Sequence, residues 1–203
     1  MAAIEDAEWL VAGLGNPGPA YVRTRHNVGF AVVERLAAAG AAGFSAAKYE
    51  SQVALFCLPP TLVLLLKPQT FMNRSGAAVA GWLLHLGLPA ERLVVVHDDL
   101  DLRVGQLRVV ISAGAGGHRG VRSVQEALGL VGFPRVRIGI GRPTNGEAAA
   151  DHVLADIAPE ECPVLADAVA RAADAVRSLI LEGPASAMNR YNVRQGSDRD
   201  PVA

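Results

Sequence analysis

The chain has 203 residues, of which 51% are hydrophobic and 19% charged, with a formal net charge of −1; this excludes an intrinsically disordered protein and is enough for one well-buried domain. No apolar run approaches the roughly 20 residues of a membrane-spanning helix: the longest candidate, residues 58–66, is interrupted by Pro59 and Pro60, closes at Lys67, and reads as a buried strand. Glu5, Asp6 and Glu8 stand where a secretory or transit peptide would be basic, so a cytoplasmic protein that touches no membrane is expected. Cys57 and Cys162 have neither metal-ligand nor Cys-x-x-Cys spacing and are expected to be buried, inert thiols.

In chain order, residues 8–13 form a short apolar run that stops at a glycine-proline cluster, the pattern of a strand feeding a loop. Residues 27–39 have helical spacing, with Asn27 as N-cap and Gly40 as stop. Two strand-like runs, 52–58 and 61–67, are joined through Leu58-Pro59-Pro60 as a hairpin or meander. A helix follows at 75–86, then a β-branched run at 93–96 of the kind buried on both faces of a sheet, with His97-Asp98-Asp99 at its end. Residues 106–111 read as a strand, 114–120 as a glycine-rich loop, 121–129 as a helix and 136–140 as a buried strand. A long amphipathic helix is expected over 159–182, opened by Pro159 and stopped by Gly183. Alternating strands and helices with one early hairpin predict an α/β fold: a single three-layer domain over residues 1–194, with a mixed, mostly parallel twisted sheet and helices on both faces. Residues 195–203 are expected to be a disordered tail.

The near-zero net charge conceals a division along the chain. Residues 100–145 hold seven arginines against Asp101 and Glu126, a net of +5, whereas residues 146–183 hold eight acids against Arg171 and Arg177, a net of −6. A basic stretch of this kind suits a phosphate-bearing ligand. A solvated arginine face balanced by an acidic helix explains the charges equally well.

Gly13-Leu14-Gly15-Asn16-Pro17-Gly18 formally satisfies the G-x-G-x-x-G fingerprint of dinucleotide-binding folds. In that motif a helix begins inside the glycine run, so that its amides face the pyrophosphate, but here Pro17 and Pro19 defer the helix to about residue 27. The acid at the right distance for a ribose, Glu34, falls inside the helix. A loop built around Asn16 is the better reading, since its amide offers both a donor and an acceptor to a ligand, although an asparagine capping its own turn is simpler on this loop alone.

Five polar clusters fall at junctions between loops and elements: Asn16, His26-Asn27, Asn73, His97-Asp98 and the Gly116-Gly117-His118-Arg119-Gly120 run. In an α/β domain such junctions line the sheet edge where ligands bind. A histidine becomes a competent general base when a carboxylate holds its other ring nitrogen, and Asp98, at the end of a central strand, is rigidly placed to do so. His26 and Asp98 are the candidate dyad. Taken singly, each has a plainer explanation: His26 as a helix cap, His97 as a half-buried strand end, Asp98 as a turn former. Neither a G-x-S-x-G elbow, nor a Cys-His pair around a nucleophile, nor histidines at metal-ligand spacing offers competing machinery. These parts suit a hydrolase that activates water directly, with amides holding the carbonyl.

The strings Gly13-Leu14-Gly15-Asn16-Pro17-Gly18, Thr24-Arg25-His26-Asn27-Val28-Gly29, Lys67-Pro68-Gln69-Thr70-Phe71-Met72-Asn73-Arg74-Ser75-Gly76, His97-Asp98-Asp99-Leu100-Asp101-Leu102 and Arg137-Ile138-Gly139-Ile140-Gly141-Arg142-Pro143 resemble, in order, the signatures of the bacterial peptidyl-tRNA hydrolase family. The resemblance extends from about Leu10 to Tyr191. It implies a monomeric enzyme that needs no metal, cofactor or protein partner and hydrolyses the ester between a peptide and the 3′ ribose of tRNA. It further implies that His26 is the base that deprotonates water and that Asp98 orients it. Asn16 and Asn73 would hold the substrate near the ester, Asn73 positioning water or polarising the carbonyl. Tyr21, Phe71 and Met72 would shape the channel, and His118 would lie on the tRNA-facing rim. The competing readings are a non-catalytic RNA-binding relative and a nucleotide-binding protein.

Two positions depart from the family pattern. His118-Arg119-Gly120 stands where the family usually has His-Asn-Gly, so the task of the asparagine passes to the charge of Arg119 or to Asn73. Family members can also clamp the 5′ phosphate of tRNA between a lysine and an arginine. Arg137 matches the arginine, the lysine position is Val110, and Arg108, two residues earlier on the same strand face, is the candidate replacement.

Overall fold

The computed structural model describes residues 3–143 and 146–192; the expected tail at 195–203 lies outside the described residues. Seven strands form one sheet in the order β2-β3-β4-β1-β5-β7-β6, where β1 is Trp9–Gly13, β2 Ser45–Ala47, β3 Ser51–Leu58, β4 Thr61–Pro68, β5 Leu93–Asp99, β6 Leu107–Ser112 and β7 Gly132–Gly139. The four central strands are parallel, β1 pairing with β4 and β5, and β5 with β7. The flanking pairs β2–β3, β3–β4 and β6–β7 are antiparallel. The expected mixed, mostly parallel sheet is present, and the early hairpin is β3–β4.

Alternation along the central strands assigns the two faces. Val11, Val94, Val96, Val136 and Ile138 meet helices α1 (Val28–Ala39) and α5 (Cys162–Leu181) through Val32, Val33, Leu36, Leu165, Ala172 and Val176. Leu10, Ala12, Leu64, Leu66 and Val95 meet α2 (Ser75–Leu86) and α3 (Arg119–Leu128) through Val79, Trp82, Leu83, Val121 and Val124. Each face is therefore dry, as a parallel sheet requires. The helix at 75–86 is closed by Gly87, which takes the left-handed conformation at φ 63°, and Leu88 N–H closes on Leu83 O at 3.0 Å.

Several expectations needed correction. The strand read at 93–96 runs on through His97, Asp98 and Asp99, because these side chains are enclosed and the parallel register with β7 continues to Gly139. The strand read at 136–140 begins at Gly132, and α5 begins at Cys162, with Pro163, not Pro159, in its first turn. Strand β2 and helices α4 (Ala149–Leu154) and α6 (Pro184–Tyr191) were not anticipated. Both cysteines are exposed, Cys57 because it occupies the outward position of alternating β3 and Cys162 because it opens α5 on its solvent side.

Parallel strands place the ends of β1, β4, β5 and β7 along one edge of the sheet. The topology turns there, since α1 leaves β1 over one face and α2 leaves β4 over the other. A side chain on Gly29 would come within 2.5 Å of Leu14 O and Val96 O, and one on Gly13 within 2.2 Å of Gly29 O. Glycine at both positions lets the start of α1 rest directly on the ends of β1 and β5. That contact brings His26 to Asp98.

Candidate active site

A cleft of about 650 Å³ opens along this edge, walled by Asn16, Tyr21, His26, Phe71, Met72 and Asn73 on one side. His97, Asp98, the loop from Gly114 to Arg119, Arg137, Arg142 and the α4 residues Ala149, Ala150, Val153 and Leu154 complete it. Asn16, Tyr21, His26, Phe71, Met72, Asn73, Asp98, His118 and Arg137 meet here, although they come from five separate stretches of chain; Arg108, the candidate replacement for the lysine, does not line the cleft.

The glycine run after β1 contains no helix start. The chain passes through 3-10 turns at Pro19–Tyr21 and Arg25–Asn27 before α1 begins at Val28, so a dinucleotide phosphate would meet no helix amides. Glu34 is committed to Lys67 at 2.7 Å. The loop is instead pinned by amides. Asn27 makes no helix cap: its Oδ1 accepts from Asn16 N–H at 2.8 Å and its Nδ2 donates to Asn16 O at 3.0 Å. Asn16 Oδ1 in turn accepts from Met72 N–H at 2.8 Å, joining the β1 loop to the β4 loop. A backbone N–H needs an acceptor, so this contact fixes the amide's orientation and leaves the Asn16 NH2 free for the cleft.

His26 Nδ1 lies 2.8 Å from Asp98 Oδ1, with the histidine 8% and the aspartate 2% exposed. Burial opposes the charge on Asp98, yet His118 and His26, whose N–H groups face it and hydrogen-bond to it, hold its carboxyl far below the usual carboxylate range. An ionised Asp98 places the proton of His26 on Nδ1 and the lone pair on Nε2. His118 is not the rim residue the resemblance implied. Its Nε2 lies 2.9 Å from the same Oδ1, its Nδ1 accepts from Val121 N–H at 3.2 Å as the N-cap of α3, and its side chain is 8% exposed. Accepting at Nδ1 puts its proton on Nε2, so both of its nitrogens are engaged.

His97 is the third imidazole, 4.7 Å from the His118 ring. Burial, with His118 beside it, pushes its pKa well below the ordinary histidine value, so it is neutral. Its Nδ1 donates to Asp98 O at 2.6 Å. His26, Asp98 and His118 have the residue types of a transition-metal site and bring ligand atoms within 4.8 Å of one another. As arranged, those atoms bond to each other.

Asn73 is exposed in the 3-10 turn Met72–Arg74, and its amide has no partner among the described residues. Tyr21 is half-buried, Phe71 is 56% exposed at the mouth, and Met72 is buried in the wall. Arg137 is ion-paired to Asp99. Arg108 stands directly opposite Arg137 in the β6–β7 ladder, and Val110 opposite Arg135. Arg135 is fully buried, donates to the carbonyls of Gly114 and Ala113, and has its pKa lowered to about 10 by burial and the nearby Arg137.

Reading the sequence missed the roles of Asn27, His97, Asp99, Arg135 and Arg25. Arg25 is buried beside His26, donating to His152 O, Ala155 O and Asp156 O and pairing with Glu161 at 2.5 Å. It ties the turn that carries the dyad to the α4 wall. The only sequence signal for it was its position next to His26.

The Peptidyl-tRNA hydrolase family profile matches residues 10–199. The chain is 48% identical over 185 residues to a peptidyl-tRNA hydrolase of Chloroflexus aggregans, covering 91% of this chain and 98% of that protein. It is 46% identical over 185 residues to one from Anaeromyxobacter dehalogenans, covering 91% and 96%. The crystal structure of peptidyl-tRNA hydrolase from Acinetobacter baumannii superimposes with a TM-score of 0.86 at 33% identity, over 95% of this chain and 98% of that one. A uridine phosphorylase from Vibrio fischeri, at 10% identity and a TM-score of 0.51 over 87% of this chain and 92% of that one, shares the fold alone. Sequence, fold and the grouping of the five strings in one cleft agree: the chain belongs to the bacterial-type peptidyl-tRNA hydrolase family.

Proposed function

We propose that the cleft hydrolyses the ester between an N-blocked peptide and the 3′ ribose of tRNA by direct attack of water, with His26 as general base and Asp98 as its orienting partner. The observation that carries this reading is the proton inventory around Asp98 Oδ1. It receives N–H from both histidines, and of the two only His26 keeps a lone pair, on Nε2, for a water in the cleft. Nε2 takes a proton as the water oxygen bonds to the ester carbonyl carbon. The NH2 groups of Asn73 and Asn16 stabilise the oxyanion, donors of a kind worth about 3 kcal/mol at the transition state. The intermediate collapses by breaking the bond to the ribose oxygen, which recovers the proton from His26. A free peptide carboxylate and a tRNA with a free 3′ hydroxyl leave, while Asp98 stays ionised throughout. An ester is activated enough for a base and fixed dipoles to suffice, so the reading needs neither metal nor cofactor.

Tyr21, Phe71 and Met72 form an apolar wall suited to the peptide. Arg137 with Arg108, on directly opposed positions whose Cβ atoms stand about 5 Å apart, forms a pair suited to the 5′ phosphate in place of the lysine lost at Val110. The enzyme acts as a cytoplasmic monomer in this reading. Its test is to incubate the protein, in a chelating buffer, with N-acetylated aminoacyl-tRNA and with the unblocked form. Release of tRNA from the blocked substrate alone is expected; survival of the blocked substrate would overturn the proposal.

A further inference from the structure

Four guanidinium groups line the cleft, and three already have a partner within the protein. Arg135 is held by the carbonyls of Ala113 and Gly114, Arg137 by Asp99, and Arg142 by Asp101 at 2.6 Å. Arg119 is the exception. It is exposed, has no hydrogen-bonded or ionic partner among the described residues, and the first turn of α3 that it opens contains no acid. Arg122, three positions on and so on the same side of α3, is also exposed and adds like charge. The cleft's acids are unavailable to Arg119, since Asp98 is bonded to two histidines and Asp99 to Arg137. Its Cα is about 3.8 Å along the chain from that of His118, which touches Asp98. An uncommitted cation thus stands one residue from the histidine that touches Asp98, where the family usually places a neutral amide.

We infer that Arg119 is an anion subsite for the phosphodiester that joins the terminal nucleotide to the rest of the substrate RNA, so that this chain grips the 3′ end by charge. The inference rests on the hydrolase reading above. A guanidinium recognises a phosphate through a planar fork of N–H donors, which an asparagine cannot reproduce. The ester being cleaved is carried on the ribose whose 5′ oxygen bears that phosphate, so a group beside the dyad lies within one nucleotide of it.

The test is a double-mutant cycle on N-blocked aminoacyl-tRNA carrying, at its last internucleotide linkage, either the natural phosphodiester or an uncharged methylphosphonate. With the intact protein, the methylphosphonate is expected to raise KM about tenfold, the scale of one charge-assisted hydrogen bond. With Arg119→Gln, KM on the natural substrate rises by a similar factor and the change of linkage has little further effect. Arg119→Lys keeps most of the discrimination, which separates charge from misfolding. The slope of log kcat/KM against log salt falls by about 0.7 in Arg119→Gln. Equal discrimination by the intact protein and Arg119→Gln, or none by the intact protein, overturns the subsite while leaving hydrolysis standing. Failure of the intact protein on the natural substrate overturns both.

Discussion

His118 donates its Nε2–H to Asp98 because its Nδ1 is already committed to the amide of Val121 at the head of α3. A helix cap thereby fixes the tautomer of a residue in the proposed catalytic cluster, and in that mechanism the two imidazoles on one carboxylate oxygen have different tasks. His118→Ala is expected to lower kcat by about tenfold, the loss of one hydrogen bond to a charged group. KM should change less than kcat, because Asp98 and not the substrate is the partner lost.

In the proposed mechanism Asn16 and Asn73 supply the same chemistry to the substrate, but they differ in what they do for the fold. Asn73→Ala is expected to reduce kcat about a hundredfold with an unchanged melting temperature, since its amide bonds to nothing else described. Asn16→Ala removes the acceptor of the buried Met72 N–H. It is expected to lower both kcat and stability, the latter by about 1–3 kcal/mol in urea titration.

Arg25 fastens the turn of His26 to the wall formed by α4. Arg25→Met removes the guanidinium from Glu161 and three carbonyls, of which Ala155 O keeps the Arg25 N–H and Glu161 Oε2 the Ala158 N–H, and is expected to cost roughly 3 kcal/mol of stability. As a positioning residue it should also lower kcat. Arg25→Lys, which restores charge without the guanidinium fork, should recover stability only in part. Denaturant unfolding and steady-state kinetics on the same samples check both effects.

Two buried groups set the acid limb of stability. The folded-state pKa of His97 is depressed, so the unfolded chain binds its proton first; stability is full above about pH 6.5 and declines as pH falls below it. The carboxyl of Asp98 is also depressed, so its contribution is full above about pH 4 and is lost below that. Melting temperature should therefore decline in two steps on acidification. His97→Gln is expected to flatten the upper step, and Asp98→Asn the lower.

The framework of this fold was legible because its signals are local. The β-branched run at 93–96 and the helical spacing of 75–86 correspond to β5 and α2. Strand β2 left no such signal: Ser45–Ala47 has little intrinsic preference for a strand and forms by pairing with β3. Helix α4 is anchored by Arg25, more than a hundred positions away. The pairing of His26 with Asp98 was readable from residue type at strand and loop ends, whereas the place of His118 was not. Gly116 and Gly117, at φ 57° and 81°, turn the loop back toward Asp98, and sequence alone does not fix the direction of that turn. Asn27 was read as a cap because an asparagine before a helix ordinarily is one. Only the approach of the Asn16 loop gives it a different partner.

In the proposed mechanism His26 Nε2 removes the proton from the attacking water. This step is tested most directly by the single-turnover rate of tRNA release from N-acetylated aminoacyl-tRNA, comparing the intact protein with His26→Gln at saturating enzyme. A rate reduced about 10²- to 10⁴-fold with substrate binding retained is expected. A rate for His26→Gln close to that of the intact protein would contradict it.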